Sequence, residues 1–158
     1  MAESVKGARL APFVKQGIFD AAMQFKDAGL IAASAAATVD GSAKVVDLGS
    51  GLFQGCMILN VSAIEIASGD EAYTIVVQLS SDADFGTVGN IVEACALHLG
   101  AKGTKLTDSD RDDTTGRYKL YFDNENDAAL YRYARVYTVV AGNIATGINY
   151  TAHAVPMK

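Results

Sequence analysis

The sequence predicts an all-β protein, built as a sandwich, jelly roll or barrel of antiparallel strands. Three observations carry this. Apolar residues alternate with polar ones over Tyr73–Leu79 and Arg117–Asp123, the period of a half-buried strand. Turn signals recur between such runs: Asp40-Gly41, Gly49-Ser50-Gly51, Gly69-Asp70, Ser81–Asp84, Asp123–Asp127 and Ala141-Gly142-Asn143. The two prolines, Pro12 and Pro156, stand near the ends, so no proline interrupts a strand ladder in between.

In chain order, residues 1–30 read as an N-terminal arm. Ile18, Phe19, Ala22, Met23 and Phe25 suggest a turn or two of amphipathic helix between Gly17 and Gly29. An arm with Phe13, Phe19 and Phe25 needs an apolar surface, in its own domain or on a neighbouring subunit. Gly29–Thr38 is Ala-rich and reads as a linker or a first strand. Asp40-Gly41 accepts positive φ and predicts a hairpin before Lys44–Leu48. Cys56–Ile66 is a long apolar run suited to a buried strand. Tyr73–Leu79 follows with Tyr73, Ile75, Val77 and Leu79 on one face.

Ile91–Leu99 fits helix or strand by periodicity, and its flanking glycines favour strand. Gly100–Gly116 reads as a long polar loop. Arg117–Asp123 places Tyr118, Leu120 and Phe122 on one face. Ala129–Val140 reads as one long strand, with Tyr131, Tyr133 and Tyr137 on one face and Ala134, Val136 and Val140 on the other. Ile148–Val155 is the last strand. About eight strands result, in a single domain over 31–158, without internal repeats.

Composition narrows the function classes. The chain has 158 residues, 50% hydrophobic and 20% charged, which is globular and large enough for a core. Its net charge is −5. That sign opposes binding to nucleic-acid phosphate and to anionic membranes. No apolar run approaches the roughly 20 residues of a spanning helix, and no signal-peptide core follows Lys6, Arg9 and Lys15. Neither nucleic acid nor membrane is therefore expected as a partner.

Chemical motifs are weak throughout. Cys56 and Cys95 sit in apolar runs without metal or redox spacing, and read as reduced, buried small hydrophobes; a disulfide between neighbouring strands is the alternative, whose geometry a sequence does not show. His98 and His153 are far apart, with only Glu93 near His98, so no metal site is expected. Asp108, Asp110 and Asp112 match the start of a calcium loop. The glycine position then holds Asp113 and the bidentate Glu position holds Lys119, so a solvated loop is the better reading. Gly100–Lys105 lacks the ending of a phosphate loop. Asn60-Val61-Ser62 and Asn149-Tyr150-Thr151 match the glycosylation sequon by chance, inside strands. No nucleophile, base and acid share a motif. The expectation is a non-enzymatic protein without cofactor or metal. The tyrosines of Ala129–Val140 suggest a covered sheet face, an interface or a carbohydrate site.

The order of segments carries a resemblance. Phe19-Asp20-Ala21-Ala22 precedes an Ala/Thr-rich stretch and Val45–Gly49. A run ending in Ile64–Ala67 follows, then Thr74–Asp82 with Phe85 close behind. Tyr133–Val139, Gly147-Ile148 and Thr151-Ala152 stand near the end. Over roughly 18–155 this resembles the jelly-roll cement, or decoration, proteins of tailed-bacteriophage capsids, of the type described in a Bordetella phage. Gly100–Gly116 has no counterpart in the resemblance.

The resemblance implies an antiparallel β-sandwich of jelly-roll type behind an N-terminal arm, and a homotrimer on the outside of a virion assembled in a bacterial cytoplasm. It implies the major capsid protein as partner, clamped by buried interface area. Phe13, Phe19, Met23, Phe25, Tyr133 and Tyr137 are the expected interface residues. The alternatives are another virion structural protein of tail or head–tail junction, a carbohydrate-binding jelly-roll module, or a cupin-like metalloenzyme.

Overall fold

A computed structural model describes residues 20–101 and 112–157. Its strands are β1 (Gln24–Lys26), β2 (Leu30–Ile31), β3 (Ala35–Ala36), β4 (Thr38–Val39), β5 (Ser42–Ala43), β6 (Val46–Asp47), β7 (Gln54–Ile64), β8 (Ala72–Ser80), β9 (Ile91–Gly100), β10 (Gly116–Asp123), β11 (Glu125–Asn126), β12 (Ala129–Leu130), β13 (Tyr133–Ala141) and β14 (Ile148–Pro156). The only helical pieces among the described residues are single 3₁₀ turns at Ala21–Met23 and Val88–Asn90.

Two antiparallel sheets share one core. The first runs β1-β14-β7-β10, with β2 also on β14; the second runs β3-β13-β8-β9, with β6 also on β13. Alternation explains the pairing of faces. In the first sheet Met57, Leu59, Val61, Phe122, Ile148, Tyr150, Ala152 and Ala154 point inward; in the second, Tyr73, Ile75, Val77, Leu79, Ala134 and Val136 meet them. The expected strands at Tyr73–Leu79, Ile91–Leu99, Arg117–Asp123 and Ile148–Val155 are present within a residue at each end. The hairpin at Asp40-Gly41 joins β4 to β5, with φ of 51° and 76°, the left-handed pair that a tight hairpin needs.

Two expectations need correction. Ala129–Val140 is not one strand. β12 folds back on β11 around Asp127 and Ala128, both at positive φ, and β13 begins only at Tyr133. The cause is Asn124, wholly buried, which ties the intervening backbone. It accepts from Phe53 N–H at 2.7 Å and donates to the Gly51 and Tyr131 carbonyls at 3.0 and 2.9 Å. The sandwich also starts before residue 31. β1 pairs with β14 across a bulge at Phe25, which lets two consecutive side chains turn inward. Phe25 enters the core, and Lys26 lies with its Nζ 4.9 Å from the centre of the Tyr150 ring.

Candidate interaction surface

The outer face of the second sheet carries a group of aromatic and cationic side chains. On β13 the strand period sends Ala134, Val136 and Thr138 inward and Tyr133, Arg135 and Tyr137 outward. The register sets Arg135 beside Gln78 of β8, and its Nε donates to Gln78 Oε1 at 2.9 Å. After β8 the chain folds back over this face. Phe85, at φ 53°, tucks its ring 4.3 Å from the Arg135 guanidinium carbon; the Tyr137 ring lies 5.6 Å away. A cation held against two rings is well placed electrostatically. Burial lowers the Arg135 pKa, yet guanidinium starts so high that it stays charged.

A second pair sits at the end of the same strand. Arg132 forks onto Asp47 of β6, Nε to Oδ1 at 2.9 Å and Nη2 to Oδ2 at 2.7 Å, and lies 5.4 Å from the Tyr133 ring. The Arg132 hydrogen bonds, helped by the Gly49 N–H, hold the Asp47 carboxyl at about 2. Both side chains remain about half exposed, so the pair fixes the position of β6 against β13 more than it stabilises the fold. The surface offers stacking faces and charge, the means of holding a partner.

The expected interface residues separate. Tyr133 and Tyr137 are half-buried on this outward face. Phe25 is not at a surface: it is fully buried in its own domain's core, because the β1 bulge turns it inward. Met23 is partly buried against that core. Phe13 and Phe19 lie outside the described residues, as do the calcium-like run up to Arg111 and most of Gly100–Lys105. Arg135 is not among the expected residues, yet it stands at the same outward period as Tyr133 and Tyr137, and that alternation is the signal in the sequence that points to it. Phe85 gave no signal, since a positive-φ excursion brings it to the face.

The two histidines lie on opposite outer faces. His98 shares a 3.0 Å hydrogen bond with Thr74 on the second sheet, and His153 faces outward on the first, opposite Ile58. Among the described residues no three His, Cys, Asp or Glu side chains gather as a metal site needs. Cys56 and Cys95 are free thiols in different sheets, so the open question of a disulfide closes. They are half-buried rather than fully buried, and desolvation pushes the Cys95 thiol up to about 11.

At the other end of the sandwich, Glu65 gathers one loop. Its carboxylate accepts from the backbone N–H groups of Ala145, Thr146 and Gly147 and from Thr146 Oγ1, at 2.6–3.1 Å. The Gly147 and Thr146 N–H groups chiefly hold it at about 2. No family model matches the chain, and no curated protein matches it.

Proposed function

We infer that this chain is a capsid cement protein, which attaches to the outside of a tailed-phage head and clamps neighbouring major capsid subunits. The observation that carries the reading is the strand order. The order β1-β14-β7-β10 against β3-β13-β8-β9 is one that two interlocked Greek keys would produce, and it supports reading the sandwich as a jelly roll. The resemblance in segment order points to the same architecture. The outward face of Tyr133, Arg135 and Tyr137 suits such work, since aromatic and arginine side chains dominate binding at protein interfaces. A homotrimer on the virion exterior is part of this reading, and the work is mechanical rather than catalytic. An acidic chain outside the shell does not compete for the packaged genome.

The test is quantitative mass spectrometry of virions purified from the phage whose genome carries this sequence. A copy number close to that of the major capsid protein supports the reading. A count in the range of tail or portal components assigns the chain there instead, and absence from the particle rejects it.

A carbohydrate-binding module is the second reading, favoured by the outward tyrosines. Against it, the rings of Tyr133 and Tyr137 already have arginines close by, which reduces the free ring surface for sugar stacking. Glycan-array binding that Y133A/Y137A abolishes would reverse this preference.

A further inference from the structure

The first sheet ends in β10, whose one strand partner among the described residues is β7. Among the described residues a row of backbone N–H and C=O groups therefore faces away from the sheet, as pairing with another strand requires. The exposure of the side chains is that of a sheet edge. Tyr118 and Leu120 point to the inner side, as Phe122 does, yet they stay half-exposed where Phe122 is buried. On the outer side Arg117, Lys119 and Tyr121 are exposed, Tyr121 to 64%.

The sequence of this edge is complementary to itself when read backwards. Two copies of β10 placed antiparallel, with a two-fold axis at Leu120, set Arg117 opposite Asp123 and Lys119 opposite Tyr121 on the outer face. On the inner face Tyr118 meets Phe122 and Leu120 meets Leu120. Each axis thus gives two opposite-charge pairs, two cation–ring pairs and an apolar row, the cross-strand combinations that stabilise antiparallel strands. Other registers are poorer. A shift of one residue sets outward side chains against inward ones. A shift of two in one direction puts Lys119 against Lys119; in the other it leaves Arg117 beyond the end of the partner strand. A two-fold contact requires this property, since each residue must suit the position its own mate presents.

The geometry points to a second copy of this chain as the occupant of the β10 edge, paired antiparallel about Leu120, so that the first sheets of two copies form one continuous sheet. The inference does not rest on the capsid reading. Where copies also form trimers through another surface, this contact joins one trimer to the next.

Sedimentation velocity of the intact chain over a concentration series tests it. Self-association is expected in the unmodified chain. R117E and D123R each set like charges across the axis and are expected to weaken association by about tenfold or more. The double variant R117E/D123R restores opposite charges and is expected to recover it. An unmodified chain that stays monomeric throughout, or an association that neither single change weakens, overturns the proposal. If the charge variants misfold by circular dichroism, cysteine pairing decides, in a chain carrying C56A and C95A. L120C is expected to form a disulfide-linked dimer on oxidation, because facing positions across strands lie within disulfide reach. R117C is expected not to, its two copies being about 20 Å apart along the strands. Equal cross-linking at both positions, or none at Leu120, overturns the register.

Discussion

Thr138 of β13 and Tyr150 of β14 share a 2.6 Å hydrogen bond between their hydroxyls, in the middle of the core and joining one sheet to the other. Each hydroxyl would otherwise be buried without a partner. Desolvation raises the Tyr150 pKa, with the Thr138 contact opposing it. The ring beneath lies against Lys26. One tyrosine therefore meets the opposite sheet through its oxygen and the edge strand through its face.

T138V removes one hydroxyl and strands the other. A loss of about 1–3 kcal/mol in urea unfolding is expected. Y150F should lose a similar amount. The double variant T138V/Y150F strands nothing, so its loss should fall short of the sum of the two. Strict additivity would show that the hydroxyls do not act as a pair.

Asn124 closes three hydrogen bonds that join the start of β7 to the segment before β13. N124A leaves a buried backbone N–H and two carbonyls unpartnered, so a loss of at least about 3 kcal/mol is expected. N124D removes the amide donors while keeping an oxygen for Phe53 N–H. It should be destabilised as well, by an amount that falls as acid neutralises the new carboxyl.

Glu65 predicts acid sensitivity. Its folded value of about 2 lies below the ordinary 4.5 of the unfolded chain. A depressed carboxylate stabilises fully above the unfolded value, and the contribution disappears as pH falls from about 4.5 towards 2. E65Q should be less stable than the native chain at neutral pH, with the difference narrowing through that window. Asp47, also near 2, adds a slope of the same sign that D47N should remove. Thermal unfolding at a series of pH values checks both, and a difference for E65Q that stays constant from pH 6 to 2 would exclude the linkage.

Phe25 is fully buried in the core. F25A should cost about 3–5 kcal/mol, the range for a large buried ring. Differential scanning calorimetry checks the loss, and a thermal midpoint that F25A leaves unchanged would take the ring out of the core.

Much of the fold was legible because its strands alternate. Tyr73, Ile75, Val77 and Leu79 declare their face, as do Tyr118, Leu120 and Phe122. The exceptions have local causes. Phe25 looks like part of an amphipathic arm, and only a bulge, which no residue pattern announces, turns it inward beside Lys26. The break before Tyr133 depends on Asn124, a residue that signals a turn in sequence and becomes a buried clasp through partners 71 and 73 residues away. The outward Tyr133 and Tyr137 follow from strand period. Phe85 on the same face does not, because tertiary folding of the loop brings it there.

The chain has seven tyrosines and no tryptophan. Its near-ultraviolet circular dichroism is therefore a signal of tyrosine and phenylalanine alone. Tyr150, immobilised between Thr138 and Lys26, is held in a fixed asymmetric field. The native protein thus contains its own optical gauge of whether the halves of the molecule remain joined. In a partly denatured state that keeps its strands but lets the halves part, the far-ultraviolet band should persist while the Tyr150 contribution fades.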